Sequence, residues 1–582
     1  MNFLERILDG LHREPGRLLL QEAWSDRVER ATAGELLARV ALARRFLRRA
    51  GLRPGDRCVL LAANSIRWVA ADLAIMAEGL VRVPLYTRQS PAELVGMMRD
   101  CEPALIVCGD DLLRAAVQEL WPEAPVCLLS EVGAESAGGA ATTTAAPGAA
   151  STATVAADTP PLPRRAQDPL VIIYTSGTSG DSKGVVLTTG NVDHMLPCTL
   201  QRLDELMHGH AGQERVFHYL PFCFAGSWLL LLSSLSRRSL LTMATDIDKL
   251  QEQLRLASPH YFQNVPLLLE RLRAGIDKKL QASAAGGLYR RARVAWAHEQ
   301  DGRAGALDHG FLALADAVLF RRVRRKISPD LRALICGSAP LAEETQGFFE
   351  MLRIPVLQVY GLTETTAICT MDEPRGRRRP GRVGRAVPGI EMRLGENDEI
   401  LVRGPHLFAG YWKRPAETAA CMQDGWFRTG DQGEVDAGGL WRISGRIKNL
   451  LVLTSGHKVA PDPLEERLRL AVPQAQQVLV VGHQRQHLTA ILTGEVTAAQ
   501  VTAALEKLNS TLPHYQRVHA FHIEREPFTA ESGLLTANGK IKRQRVLDRF
   551  AAALDALYAA PVAPGATAGR GAGVISSSGR QA

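Results

Sequence analysis

The sequence predicts an α/β fold in which a mostly parallel sheet carries helices on both faces. Three observations point there. Helical and strand-like patterns alternate through the first hundred residues, and a later apolar run ends in a loop of glycine, serine and threonine. Of the 582 residues, 46% are hydrophobic, enough for a substantial core. A chain of this length holds several domains, or one large domain and a small one.

Thr32 and Glu35 form a capping box ahead of leucines and valines at helical spacing, and Gly51 ends that helix. Residues 57–62, 81–86 and 104–108 read as strands, and 66–78 and 92–100 as the helices between them. From 133 to 168 the chain turns to Ala, Thr, Gly and Pro, which predicts a low-complexity surface insertion. Residues 559–582 share that composition and are expected to form a disordered tail. The most hydrophobic uncharged window, 219–236, is short for a bilayer span, carries Pro221 early and runs into Arg237-Arg238, so it reads as buried core. Residues 271–326 read as mostly helical with basic ends, including Arg321-Arg-Val-Arg-Arg-Lys326. That run has two readings: a solvated face with cations at a helix C-terminus, or contact with anionic lipid.

The net charge of +8 is modest for this length and favours anionic partners without choosing among them. Nine cysteines without paired spacing suit a reduced compartment, and the N-terminus has no signal-peptide core. The expected location is cytoplasmic, with the inner membrane face as a peripheral contact.

The segment Tyr174-Thr-Ser-Gly-Thr-Ser-Gly-Asp-Ser-Lys-Gly184 follows the apolar run 170–174, which reads as a buried strand. Gly177, Gly180 and Gly184 free the backbone to turn its N–H groups toward one anion. Thr175, Ser176, Thr178 and Ser179 add hydroxyls, and Lys183 adds a positive charge, so the composition suits phosphates. It is not a Walker A loop, because Ser182-Lys183-Gly184 stands where Gly-Lys-Ser/Thr is required. Tyr360-Gly-Leu-Thr-Glu-Thr-Thr366 follows another apolar run, 354–359, and so sits at a strand end, where open parallel sheets place their sites. Ile335-Cys-Gly-Ser-Ala-Pro-Leu341 is a further strand-to-turn element.

These segments resemble the signature motifs of the adenylate-forming enzymes, the superfamily of acyl-CoA synthetases, luciferases and peptide-synthetase adenylation domains. The phosphate loop departs from the usual Tyr-Thr-Ser-Gly-Thr-Thr-Gly-x-Pro-Lys-Gly at Ser179 and Ser182. The resemblance implies that Tyr360 and Gly361 flank the adenine, Thr363 reaches the phosphate and Glu364 holds Mg²⁺. It places Gly337 and Ser338 beside the nucleotide and acyl pockets, Ser338 standing where a second glycine is usual. Gly425-Trp-Phe-Arg-Thr-Gly-Asp431 makes Asp431 the ribose ligand. In Ser444-Gly-Arg-Ile-Lys-Asn449 it sends Arg446 to ribose or phosphate and makes Lys448 the hinge, with Asn449 where an acidic residue is common. Residues 453–461 continue the match as the loop that swings toward the pantetheine tunnel. Thr536-Ala-Asn-Gly-Lys-Ile-Lys-Arg543 supplies Lys540 as the catalytic lysine.

Tyr219-Leu-Pro-Phe-Cys-Phe-Ala-Gly-Ser-Trp228 resembles the family's Leu-Pro-x-x-His segment, with Phe224 for the histidine. Phe224, Trp228 and Val265 of Asn264-Val-Pro266 are thereby assigned to an acyl pocket, although Trp228 reads equally as a plain core aromatic. The resemblance spans residues 34–547 and is strongest to bacterial long-chain acyl-CoA synthetases. It implies a large α/β domain over 1–445 and a small, mobile α+β domain over 446–558. The implied enzyme is an AMP-forming acid–thiol ligase that uses ATP, Mg²⁺ and coenzyme A on a medium- or long-chain fatty acid, with no nucleic-acid partner. Three alternatives stay open: a fatty acyl-AMP ligase loading an acyl-carrier protein, a ligase for an aryl or amino acid, and a non-catalytic nucleotide-binding relative.

Overall fold

The computed structural model describes residues 1–24, 26–133, 159–176, 182–376, 378–529, 531–536, 539–559 and 573–576. Elements read from the sequence fall within a residue or two of their expected bounds. The first long helix is Ala33–Arg49, and Thr32 and Glu35 exchange both capping-box hydrogen bonds. It is followed by Arg57–Leu61, Ile66–Ala77, Val81–Pro84, Pro91–Cys101 and Leu105–Cys108 in the expected alternation.

Among the described residues, the large part holds a five-stranded antiparallel sheet that includes Trp426–Val435 and two sheets with parallel strands. One runs Gly410–Tyr411, Ser182–Thr188, Pro169–Ser176, Val81–Pro84, Arg57–Leu61, Leu105–Cys108, Val126–Leu128. Its last five strands are parallel neighbours, whereas Pro169–Ser176 and Ser182–Thr188 form an antiparallel hairpin. The second sheet carries the parallel strands Val356–Tyr360, Ala333–Cys336, Tyr261–Asn264, Arg215–His218, Leu240–Ala244 and Leu18–Ala23. The residues that flank the phosphate loop therefore pair as antiparallel strands, and the Tyr360 motif leaves the end of a parallel strand.

The apolar window is the helix Ala225–Arg237, with Leu229–Leu232 buried against both sheets' helices. Among the described residues no helix is long and apolar enough to cross a membrane. Trp228 on this helix is 1% exposed, and its indole donates to Asp72 Oδ2 at 3.0 Å. Asp72 also pairs with Arg82 at 2.6 Å, and the Arg82 guanidinium lies 4.3 Å from the Trp228 ring and 5.3 Å from the Trp68 ring. Both ionic side chains are essentially without solvent contact. A buried pair is costly to make and costlier to break, because removing one partner strands the other charge. Asp72→Ala should destabilise the protein by about 3–5 kcal/mol, read from denaturant unfolding. The double change Asp72→Ala with Arg82→Met should recover much of that loss.

The low-complexity insertion of 133–168 lies outside the described residues between 134 and 158. Its final part is anchored: Arg164 donates to the Met76 and Pro169 carbonyls at 3.1 and 3.0 Å, and Arg44 to that of Pro160 at 3.0 Å. The tail also differs from expectation. Residues 560–572 and 577–582 lie outside the described residues, but Gly573–Ser576 is a strand parallel to Val518–Glu524. The β-branched pair Val574-Ile575 suits a strand, and a reading by composition alone passes over it.

The basic helical stretch is Pro266–Gln281, Gly286–Gln300, Ala306–Ala315, a π-helical turn Asp316–Phe320, and Arg321–Ile327. The C-terminal part has its own cores. Leu464 and Leu468 of the helix Pro461–Ala471, with Val501 and Leu505 of Ala498–Asn509, pack on strands Val478–Val481, Leu488–Thr493 and Val518–Glu524. Polar contacts that join it to the large part include Arg469 to Glu270 at 2.5 Å, Lys542 to Glu93 at 2.8 Å and Lys458 to Asn397 at 3.1 Å.

Candidate active site

The strand Val356–Tyr360 delivers its last residue beside the strand Trp426–Val435, and the Tyr360 hydroxyl donates to Asp431 Oδ2 at 2.8 Å. Asp431 is 3% exposed, and its Oδ1 meets Arg446 Nε at 2.9 Å across the antiparallel pairing of Trp426–Val435 with Trp441–Arg446. Burial pushes the Asp431 carboxyl above its ordinary range, against the pull of Arg446, the Tyr360 hydrogen bond and Lys540. One buried carboxylate thus holds a phenol and a guanidinium in fixed positions.

After Tyr360 the chain turns sharply. A Cβ on Gly361 would lie 2.2 Å from the Ala367 carbonyl oxygen, so only glycine fits. Thr363–Thr365 is a 3₁₀ turn, followed by Thr366 and Ala367 at φ 50° and 77°. This crowded turn presents Glu364, half-buried, whose Oε1 accepts from the Tyr411 hydroxyl at 2.9 Å. Mg²⁺ fits such a donor set: one carboxylate suffices where phosphate oxygens and water complete the shell.

The phosphate hairpin stands on the other side of Tyr411. Gly177, Thr178, Ser179 and Gly180 lie outside the described residues. Thr175 and Ser176 end the first strand, in register with Lys183 and Ser182 on the second. Tyr174 donates to Asp100 Oδ2 at 2.6 Å and fixes the hairpin base. Lys183 lies 5.3 Å from the Tyr411 ring centroid and forms an ion pair with Glu417. Tyr411 and Glu417 belong to no segment singled out in the sequence. The apolar-aromatic run Gly410-Tyr-Trp412 leading to Pro415 gave only a strand-and-turn signal.

Lys540 comes from the C-terminal part. Its backbone closes a turn with Thr536: Lys540 N donates to Thr536 Oγ1 at 3.0 Å, and Thr536 N to Lys540 O at 2.7 Å. Lys540 is exposed, yet enough protein surrounds it that desolvation lowers its pKa. The Arg446 cation lowers it further, while Asp431, Glu364 and Asp462 oppose. Tyr360, Asp431 and Arg446 are joined by direct contacts, Glu364 and Lys183 both meet Tyr411, and the charges of Arg446, Asp431 and Glu364 act on Lys540.

Lys448 lies in the 3₁₀ turn Ile447–Asn449, directly after Arg446. Asn449 has a clear setting: its amide lies 3.4 Å from Asp462, where an acidic residue would meet a like charge. Gly337 is buried, and a Cβ there would come within 3.0 Å of the Val359 carbonyl oxygen. Ser338 is exposed with φ 72°, a backbone state that a glycine would adopt without strain. Phe224 is half-buried, its ring 5.7 Å from that of Tyr86, and Val265 N donates to the Tyr219 hydroxyl at 3.3 Å. Trp228 is locked into the buried charge pair rather than lining open space.

Comparison with known families matches residues 11–412 to the model of the AMP-binding enzymes and residues 448–561 to that of the AMP-binding enzyme C-terminal domain. The chain belongs to the AMP-binding enzyme family. It is 28% identical to a long-chain-fatty-acid–CoA ligase of Mycobacterium bovis, with 93% of each chain covered. It is 26% identical to a chloroplastic long-chain-fatty-acid–[acyl-carrier-protein] ligase of Arabidopsis thaliana, over 88% of this chain and 80% of that one. Among solved structures, o-succinylbenzoate coenzyme A synthetase of Bacillus subtilis with AMP superposes with a TM-score of 0.71 at 18% identity, covering 93% of this chain and 98% of that one. ATP-bound MatB from Rhodopseudomonas palustris gives 0.69 at 24% identity, covering 94% and 99%. Both share the fold of this chain.

Proposed function

We propose that this chain is an ATP-dependent acid–thiol ligase that converts a medium- or long-chain fatty acid to its acyl adenylate and then to a coenzyme A thioester. The observation that supports the reading is the contact cluster of Tyr360, Asp431 and Arg446, with Lys540 of the C-terminal part within the reach of its charges. Asp431, held by Tyr360 and Arg446, would accept from both ribose hydroxyls, and Tyr360 with Gly361 would flank the adenine. Gly337 and Ser338 would line the pocket beyond. Thr175, Ser176, Gly177, Thr178, Ser179, Gly180, Thr363 and Lys183 would hold the phosphates, and Glu364 would hold Mg²⁺, which supplies positive charge to them. Lys540 offsets the charge that gathers as the carboxylate oxygen attacks the α-phosphate and pyrophosphate departs. Rotation about Lys448 would then withdraw Lys540 and admit the thiol, whose sulfur attacks the acyl carbon and releases AMP. Phe224 and Val265 offer an apolar entrance for the acid, with Trp228 as a fixed wall behind them.

Pyrophosphate release across a panel of alkyl, aryl and amino acids tests this reading, each run with coenzyme A and with holo acyl-carrier protein. Release with no acid would reject the enzyme; turnover only with carrier protein would make it an acyl-AMP ligase.

A peripheral membrane contact is part of the proposal. Leu267, Val294, Leu307 and Leu314 are exposed on the helices that lead to the basic run, where Arg321, Arg322, Arg325 and Lys326 are also exposed. The protein should co-sediment with anionic vesicles and be released as salt screens the charge. Equal recovery with neutral and anionic vesicles would reject the contact.

A further inference from the structure

We propose that Glu417 is a positioning residue that competes with nucleotide phosphate for the Lys183 ammonium and so promotes the departure of pyrophosphate. This rests on the reading of Lys183 as a phosphate contact. Glu417 lies on the short helix Pro415–Ala420, and its carboxylate is paired with Lys183. The segment carrying it is held firmly against the phosphate hairpin. Gly410–Tyr411 pairs with Val185 and Val186, and Trp412 N donates to the Gly184 carbonyl at 2.7 Å. Thr418 ties the two ends of the segment, accepting from Tyr411 N and donating to the Arg414 carbonyl, each at 2.9 Å. The backbone that carries Glu417 is therefore fixed beside the strand of Lys183, with the carboxylate itself partly exposed.

The surrounding charges support an exchange. Arg414 lies 3.6 Å from Glu417 and is itself tied to Asp100 at 3.4 Å, so it would stay in place if Lys183 moved away. The Glu417 carboxyl is held below the usual carboxylate range, first by the hydrogen bond from Lys183, with the fields of Lys183, Arg414 and Lys448 adding to it. A carboxylate beside a phosphate loop weakens nucleotide binding by its charge alone. Here that cost has a use: when the leaving group has formed, Glu417 offers Lys183 another partner. The residue touches neither substrate nor reacting atoms in this scheme and acts through Lys183.

The test is product inhibition. In Glu417→Gln the inhibition constant for pyrophosphate and the KM for ATP should both fall about two- to fivefold, the scale of one half-exposed ion pair. Glu417→Asp keeps the repelling charge and should stay near wild type. Calorimetric titration of the full chain with magnesium pyrophosphate reads the same shift without turnover. Unchanged or weaker pyrophosphate binding in Glu417→Gln, or none by either protein, would overturn the proposal. A wild type that binds pyrophosphate but exchanges it with no acid would instead overturn the ligase reading and leave Glu417 standing.

Discussion

Lys540→Ala should abolish acyl adenylate formation, yet still convert supplied acyl adenylate and coenzyme A to thioester. The side chain belongs to the C-terminal part, and its charge is opposed by Arg446 and favoured by Asp431 and Glu364. Its loss removes a preorganised charge from the adenylation step, an effect of about 10²–10³-fold or more. The Arg469–Glu270 and Lys542–Glu93 pairs, each joining a residue after the turn Ile447–Asn449 to one before it, would hold the orientation that presents it. Thiol attack would use the other orientation, in which Lys540 has left. Lys448→Pro is the complementary variant: proline fixes φ and stiffens the turn, so adenylate should form and the transfer should stall. Rapid-quench measurement of each half-reaction decides. Loss of both half-reactions in both variants, with native circular dichroism, would end the two-orientation scheme.

Glu364→Gln should lower ATP–pyrophosphate exchange by about 10²–10³-fold while leaving the fold intact. The amide keeps the size of the side chain, and its oxygen can still accept from the Tyr411 hydroxyl that now meets Oε1 at 2.9 Å. What disappears is the negative charge that balances Mg²⁺. An exchange rate equal to wild type would remove Glu364 from the metal's shell. A loss of melting temperature in step with activity would make it a structural residue instead.

Local chemistry accounts for what could be read from the chain itself. The Thr32–Glu35 capping box is a four-residue event and survives intact. Tyr360 and Arg446 end their strands and Asp431 lies within one, each in a compact motif, so naming the motifs also named the cluster. Contacts distant in sequence were not legible. Glu417 follows an ordinary turn, and nothing in its neighbours says that it will meet Lys183. Arg82 interrupts an apolar strand, and its counter-ion Asp72 lies on a helix that reads as uniformly core. Their pairing follows only once the sheet places that strand under the helix. Asn449 looked like an unexplained departure until Asp462 was found opposite it.

The cysteines acquire a meaning from the chemistry around them. All nine are free, seven are buried, and every one has its thiol pushed above the ordinary range, burial being the first cause. Cys223, next to Phe224 at the proposed acyl entrance, is pushed up to about 12. An acyl adenylate is an electrophile made for capture by a thiolate, and the thiolate is the form that reacts. Burial thus holds the protein's own sulfurs in the protonated form, the less nucleophilic one.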